Sequence, residues 1–306
     1  MPVAVVFPGQ GTQTPGLGAP WRDHDAWHVV EEAEAATGEP LAELLLDAPE
    51  EVLSRTREAQ LAVLTTSLVA WEAVRATVRA PVAFAGHSLG QVTALVAAGA
   101  LSLADGVRFA ARRAELTQSA ADMHPGRMVA LLGATPEQAA DACTAAPDGC
   151  WVANDNAPGQ VVIAGTPDGV GAGSARAKEL GVRRATALNV GGAFHTPLMH
   201  DAALGLAELL PDVALQPTDH PVVSNEDAQP YTDADGWRTR LARHVEVPVR
   251  WREVQLTLAG LGATTFLEVG SGSMLAALAK RTVPGVAVRG IAQPSDVLAD
   301  QEVLPA

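Results

Sequence analysis

The sequence predicts an α/β fold in which a parallel-sheet core carries a small inserted module. Two short apolar stretches, Val3–Phe7 and residues 82–85, have the pattern of buried strands, and each runs directly into a glycine-containing turn. Residues 127–192 change to the order strand, helix, strand, strand, helix, strand, which is the split βαβ arrangement. We therefore expect residues 1–126 and 193–306 to form a large α/β subdomain and residues 127–192 to form a small one.

The large subdomain begins with the strand Val3–Phe7, which ends at a Pro-Gly turn. Residues 26–79 predict helices. The strand at residues 82–85 is followed by a tight turn and an alanine-rich helix over residues 91–98. After the insertion, helices lead to a strand at Thr265–Val269, and the last dozen residues have the composition of a surface tail.

The inserted module has its own pattern of alternating elements. Thr135 is a predicted N-cap for its first helix. The run Asn-Asp-Asn-Ala-Pro-Gly at residues 154–159 is rich in turn formers and predicts a loop between two strands. The predicted strands are residues 128–132, 150–153, 160–164 and 184–188, and the predicted helices are residues 136–144 and 169–180.

Composition excludes several classes of protein. The 306 residues carry 21 basic and 35 acidic side chains, a net charge of −14, which argues against a nucleic-acid-binding protein and against one that rests on anionic lipid. The two cysteines, Cys143 and Cys150, cannot make a disulfide framework or a four-cysteine zinc site, although the sequence leaves one disulfide between them open. With no visible export signal and no membrane span, we expect a cytoplasmic protein without a metal site.

The sharpest chemical signal is GHSLG at residues 86–90, a G-x-S-x-G pattern between a predicted strand and a predicted helix. Glycines permit a sharp turn there, so Ser88 is expected at the apex with its hydroxyl exposed. The backbone N–H of Leu89 would then point to where an oxyanion forms. This arrangement predicts a nucleophilic serine.

A serine needs a base to take its proton, and His195 is the best candidate among eight histidines. It lies where the predicted module rejoins the large subdomain, which is a natural cleft edge. His87 adjoins the nucleophile, but we expect its side chain to point away from the pocket.

A second oxyanion donor is expected from another loop. The FPGQGTQ run at residues 7–13 follows the first strand, and its glycines allow close approach of the backbone. We select the Gln10 N–H. The run is neither G-x-G-x-x-G nor a P-loop, so nucleotide binding is not expected.

Four motifs in register resemble the malonyl-CoA:acyl carrier protein transacylases and the acyltransferase domains of polyketide synthases. They are FPGQG at residues 7–11, GHSLG at residues 86–90, AFH at residues 193–195 and EVG at residues 268–270. The resemblance covers about residues 3 to 282. It implies a hydrolase-like α/β core with a small ferredoxin-like insertion.

The same resemblance implies an activity: a malonyl group moves from malonyl-CoA to the phosphopantetheine thiol of an acyl carrier protein through an acyl-serine. No metal or other cofactor is implied. Arg113 matches the family arginine that pairs with the malonyl carboxylate. Phe194 matches a position that favours malonyl over methylmalonyl. Further matches lining the site are Gln60, Asn154 and Asn156.

Two residues depart from the family pattern. His244 stands where the family usually has a glutamine that supports the catalytic histidine mainly through its backbone carbonyl. Because its side chain could alter polarity or pKa values, we count His244 among the substrate-site candidates. Ser271 replaces a usual proline.

Three alternatives use the same residues differently. A serine esterase or thioesterase would share the turn and the base, but α/β-hydrolases have the order serine, acid, histidine, with the histidine near the C-terminus. An acyltransferase subunit of malonate decarboxylase would work within a complex. A non-catalytic interaction protein would not need Ser88, His195 and Arg113 together.

Overall fold

The computed structural model describes residues 1–301 of the chain, with side chains as far as residue 297, and contains two β-sheets with helices packed on them. The strands, in chain order, are β1 (Val3–Phe7), β2 (Ala83–Gly86), β3 (Arg127–Leu132), β4 (Cys150–Ala157), β5 (Gln160–Gly165), β6 (Arg184–Ala187), β7 (Val222–Val223), β8 (Pro230–Tyr231), β9 (Thr265–Val269) and β10 (Ala287–Ile291).

Helices occupy most of the chain between the strands, and short 3₁₀ turns occur at Ala19–Trp21, Asp25–Trp27, Pro197–Met199 and Leu210–Asp212. The helices are α1 (His28–Thr37), α2 (Leu41–Leu46), α3 (Glu50–Leu53), α4 (Thr56–Val74), α5 (Gly90–Ala97), α6 (Leu103–Met123), α7 (Pro136–Cys143), α8 (Pro167–Glu179), α9 (His200–Leu209), α10 (Ala234–Arg243), α11 (Trp251–Gly260), α12 (Met274–Thr282) and α13 (Pro294–Gln301).

The larger sheet has the order β10-β9-β1-β2-β7-β8 and is parallel except for the last pair. All five residues of β1 are buried because both faces of this central strand are covered. β1 and β2 run in register to Phe7 opposite Gly86, so the loops after both strands leave the same edge of the sheet. The predicted parallel core is confirmed, although β7, β8 and β10 were not predicted.

The smaller sheet is antiparallel with the order β4-β5-β3-β6, and the predicted alternation of strands and helices is found along the chain. α7 and α8 pack on this sheet around Leu131, Ile163 and Val170. The predicted N-cap is confirmed, since the Thr135 hydroxyl accepts a hydrogen bond from the Gln138 N–H at 3.2 Å.

The prediction of a loop at residues 154–159 is wrong for residues 154–157. β4 continues to Ala157, and only Pro158 and Gly159 form the turn. Two register shifts interrupt the strand, and the Asp155 N–H donates to the Val249 carbonyl at 2.9 Å. The segment around Val249 therefore supplies hydrogen-bond partners to backbone groups that the local composition had placed in a turn.

The predicted surface tail begins as part of a helix. α13 starts at Pro294, and Val297 is buried, so the prediction is wrong for these residues, whereas residues 302–306 lie outside the described residues. Between residues 1 and 301, no helix combines the length and the apolar character that crossing a bilayer requires.

Candidate active site

Ser88 lies at the apex of the turn between β2 and α5, as the sequence predicts. Its φ of +51° is in the left-handed region, which a residue with a side chain adopts only at a cost. Glycine is required on both sides: a Cβ at Gly86 would lie 1.8 Å from the Gly90 carbonyl oxygen, and one at Gly90 would lie 2.3 Å from the Phe7 carbonyl oxygen. The two glycines let strand and helix close on each other and leave the serine at the apex.

His195 meets this serine from a segment 107 residues further along the chain: Ser88 Oγ and His195 Nε2 are 2.7 Å apart. On the other side of the ring, Nδ1 donates to the Val247 carbonyl at 3.0 Å. With the proton on Nδ1, Nε2 is an acceptor for the serine hydroxyl. The pair thus has the geometry of a nucleophile and its general base.

The environment keeps the His195 imidazole neutral. Burial is the main cause and the nearby Arg113 charge the next, and together they lower the pKa of His195 to about 3. Hydrogen bonds to the carbonyls of Val247 and His244 oppose this shift. A neutral imidazole is the form that can take a proton from Ser88.

His87 is not the partner of Ser88. Its Nε2 lies 2.8 Å from Asn156 Oδ1, and its ring packs edge-on against Trp251 with ring centroids 5.4 Å apart. Burial lowers the pKa of His87, so it too is neutral near pH 7.

Arg113 is a buried cation that faces the nucleophile. It is 2% exposed, and its Nη2 lies 3.2 Å from Ser88 Oγ. Nη1 donates to Gln60 Oε1, and Gln60 in turn donates to Thr117 Oγ1 at 3.1 Å. Nε has no partner, and no described carboxylate forms an ion pair with this guanidinium. Burial lowers the pKa of Arg113 to about 10, so it remains charged at neutral pH.

Gln10 and Leu89 border the same cavity as Ser88. Within residues 1–301, the backbone N–H groups of Gln10 and Leu89 donate no hydrogen bond to the chain. The loop after β1 is held to the turn because the His87 N–H donates to the Phe7 carbonyl at 3.0 Å. Two unused donors beside a nucleophile can receive an oxyanion.

The cavity over Ser88 has a volume of about 120 Å³. A second cavity, of about 360 Å³, shares four of its lining residues with the first. The shared residues are Gln10, Leu188, Val190 and Met274. The two cavities therefore adjoin each other, and the one over Ser88 is the smaller.

The other sequence-predicted site residues fall into two groups. Phe194, Asn154 and Asn156 line the smaller cavity. Gln60 and His244 do not line it. Gln60 accepts a hydrogen bond from Arg113, and the His244 ring lies beside His195 with ring centroids 6.0 Å apart. Both ring nitrogens of His244 are buried and have no hydrogen-bond partner among the described side chains and backbone groups. Burial lowers the pKa of His244 well below the usual value.

Sequence reasoning missed Val247 and Asn225. The family resemblance placed the carbonyl that supports the catalytic histidine at position 244, whereas His195 Nδ1 donates to the carbonyl of Val247, three residues later. Asn225 hydrogen-bonds to the turn that carries Ser88, and it follows the two-residue strand β7. A polar residue at the carboxyl end of a parallel strand was the one available signal. In the described part of the chain, no group of three histidine, cysteine or acidic side chains could hold a metal ion.

Comparison with known proteins identifies related sequences over nearly the whole chain. The acyl transferase domain family matches residues 4–296. A malonyl CoA-acyl carrier protein transacylase of Bacillus subtilis is 37% identical over 300 residues, covering 96% of this chain and 95% of the relative. One from Escherichia coli K12 is 37% identical over 309 residues, covering 98% and 99%.

Solved structures agree with these relatives. An acyl carrier protein S-malonyltransferase from Vibrio cholerae superposes with a TM-score of 0.93 at 33% identity, covering 98% of this chain and 100% of that one. A malonyl-transacylase in complex with a type II polyketide synthase acyl-carrier protein gives a TM-score of 0.95 at 32% identity, covering 99% and 100%.

Proposed function

The chain belongs to the acyl transferase domain family, and we propose that Ser88 and His195 carry out its transfer chemistry. The reaction moves a malonyl group from malonyl-CoA to the phosphopantetheine thiol of an acyl carrier protein, in fatty acid or polyketide synthesis. The family resemblance inferred from the four motifs is thereby confirmed.

One observation carries the assignment of the acyl group: the Arg113 guanidinium is buried beside Ser88 and has no partner among the carboxylates that the structure describes. An unpaired buried charge is costly, and a free carboxylate on the substrate would remove that cost. A guanidinium binds a carboxylate through two parallel hydrogen bonds. Malonyl has this carboxylate at the end opposite its thioester, whereas acetyl has none.

In the first half-reaction, His195 Nε2 takes the Ser88 proton while Oγ attacks the thioester carbonyl carbon. The carbonyl oxygen becomes an oxyanion against the N–H groups of Gln10 and Leu89. The carbon–sulfur bond then breaks, and His195 returns its proton to the coenzyme A thiolate. A malonyl-serine remains.

In the second half-reaction, the phosphopantetheine thiol of the carrier gives its proton to His195, and its sulfur attacks the malonyl-serine carbonyl. The same oxyanion site serves again. The ester bond to Ser88 breaks and Oγ recovers the proton from His195. Because one thioester is consumed and another is formed, the equilibrium constant of the exchange is close to one. The reaction needs its two pantetheine-bearing substrates and no cofactor.

The cavities suit the two parts of such a substrate. The smaller cavity takes the acyl group, and the wider one takes the pantetheine arm. Phe194 borders the acyl space, where an α-methyl branch would meet its ring. One methyl group gives only about 1–3 kcal/mol of discrimination, so malonyl is preferred over methylmalonyl without strict exclusion.

The proposed setting is the cytoplasm. Cys143 and Cys150 are free thiols with sulfur atoms 3.5 Å apart, which suits a reducing compartment.

Partition between transfer and hydrolysis tests the function. With malonyl-CoA and a phosphopantetheine-bearing carrier protein, malonyl-carrier should form at least about tenfold faster than free malonate appears, since a transferase protects its acyl-enzyme from water. Malonate release that is equally fast with and without the carrier would instead identify a thioesterase.

A further inference from the structure

A buried asparagine outside the cavity holds the turn that presents Ser88. Asn225 follows β7 and is 1% exposed. β7 pairs in parallel with β2, with Ala85 opposite Val223. The residues that follow these two strands therefore lie side by side, and Asn225 lies against the turn at residues 86–90.

The side-chain amide of Asn225 spans this turn. Oδ1 accepts a hydrogen bond from the Ser88 N–H at 2.8 Å, and Nδ2 donates one to the Gly86 carbonyl at 2.8 Å. The left-handed backbone at Ser88 is unfavourable for a residue with a side chain. Two hydrogen bonds made in this conformation offset that cost and fix the direction of the serine hydroxyl.

The backbone of Asn225 connects the turn to two further elements. Its N–H donates to Gln91 Oε1 at 2.7 Å, in the first turn of α5. Its carbonyl accepts from the Arg250 N–H at 2.9 Å. Arg250 lies three residues after Val247, whose carbonyl orients His195. One residue thus joins the nucleophile's turn to the segment that orients the base.

We propose that Asn225 is a positioning residue for the Ser88–His195 pair, because its amide bridges Gly86 and Ser88 while its carbonyl holds the segment that supports His195. The inference rests on the proposed function for its consequence in transfer. Asn225 does not line either cavity beside Ser88, so it acts through Ser88 and not on the substrate.

An aspartate of the same shape separates this role from a general effect on folding. In Asn225→Asp, one oxygen still accepts from the Ser88 N–H, while the other faces the Gly86 carbonyl. Only the neutral acid can donate to that carbonyl. Activity of Asn225→Asp, relative to that of the parent chain, should therefore rise as the pH is lowered.

The experiment compares the parent chain with Asn225→Ala, Asn225→Asp and the control Ser224→Ala. Ser224 is the buried neighbour, and its hydroxyl accepts a hydrogen bond from the Glu226 N–H at 3.2 Å, away from the turn. Two rates are measured between about pH 5.5 and 7.5: malonyl transfer, and modification of Ser88 by phenylmethylsulfonyl fluoride. In that modification the Oγ–S bond forms, fluoride leaves and His195 accepts the serine proton.

We expect Asn225→Ala to lower kcat and the modification rate by about 10- to 100-fold, with KM for malonyl-CoA within about threefold, because a small misplacement of the nucleophile affects chemistry more than binding. Ser224→Ala should stay within about threefold for both rates. Asn225→Asp should recover toward low pH.

Parent-like rates in Asn225→Ala would overturn the proposal. If that variant does not fold, a loss in Asn225→Asp that does not change with pH would overturn it instead. The parent chain could fail to transfer malonyl while the rates of sulfonyl fluoride modification in the parent and the variants still follow the expected order. In that case the proposed function fails and the positioning role stands.

Discussion

Among single residues, Arg113 is the one that we propose binds the carboxylate of the substrate. Arg113 is 2% exposed, and its guanidinium donates a hydrogen bond to the amide oxygen of Gln60. Such a cation remains partly unsatisfied until an anion arrives. We therefore expect Arg113 to favour a substrate that has a free carboxylate.

Arg113→Ala should therefore lower malonyl transfer by about 10²-fold, the value of one or two charge-assisted hydrogen bonds, and acetyl transfer by less than about threefold. The measurement is the rate of Ser88 acylation by malonyl-CoA and by acetyl-CoA. Arg112→Ala is the matched control, because Arg112 is exposed and pairs with Glu115. Equal losses for both acyl groups would remove the carboxylate role from Arg113.

The sequence indicated the two proposed catalytic side chains more clearly than the groups that support them. Ser88 and His195 stood out because a hydroxyl on a sharp turn needs an imidazole, and the structure brings them to 2.7 Å. The carbonyl of Val247 and the amide of Asn225 carried no comparable signal. Their roles arise from segments that become neighbours only when the larger sheet forms.

At the scale of elements, α12 begins beside the active site and is held by an acid from the neighbouring strand. Glu268 on β9 is 1% exposed, and its two oxygens accept the N–H groups of Leu275 and Ala276 at 3.1 and 2.8 Å. These are donors of the first helical turn that have no partner within the helix. The EVG motif therefore holds the helix whose first residue, Met274, lines both cavities.

Glu268→Ala should lower the free energy of unfolding by about 1–3 kcal/mol, because two buried N–H groups lose their acceptor. Urea denaturation gives this quantity. The control Glu115→Ala removes an exposed acid that pairs with Arg112, and should cost less than about 0.5 kcal/mol. A Glu268→Ala chain as stable as this control would contradict the capping role.

The strand β4 shows where element prediction fails. Residues 154–157 have turn-forming side chains, yet they form strand because the Val249 segment supplies backbone partners and Arg252 pairs with Asp155 at 2.8 Å. This tertiary support overrides local composition. The same extension brings Asn154 and Asn156 to the cavity.

At the scale of the whole molecule, the order of the predicted elements along the chain agrees with the structure. The spacing of apolar residues and the glycine-containing turns are local signals, so the sequence alone reveals them. Short strands escaped prediction, since β7 and β8 have two residues each and no detectable period. The smaller sheet lies beside the ends of strands of the larger sheet, and the cavity forms between them. This placement depends on contacts between residues that are far apart in sequence.

Three buried histidines, His87, His195 and His244, make the whole fold sensitive to acid. Their pKa values are lowered in the folded chain, so only the unfolded chain gains protons as the pH falls below about 6.5. Each should remove about 1.4 kcal/mol of stability per pH unit below that point, until the pH reaches its folded-state pKa.

His244→Gln should flatten this decline by about 0.7 proton on average between about pH 7 and 5, or about 1 kcal/mol per pH unit, because a glutamine does not titrate. Urea denaturation of both chains between about pH 7 and 5 measures the two slopes, and contributions from carboxylates cancel in their difference. Identical slopes would show that His244 takes up no extra proton on unfolding.

Mass spectrometry of the acyl-enzyme tests the central claim most directly. After mixing with malonyl-CoA, the peptide that contains Ser88 should gain about 86 Da, the mass of a malonyl group, and should lose it when a phosphopantetheine-bearing carrier protein is added. Ser88→Ala should show no adduct. An adduct on another residue, or acylation of Ser88→Ala at the parent rate, would contradict the account.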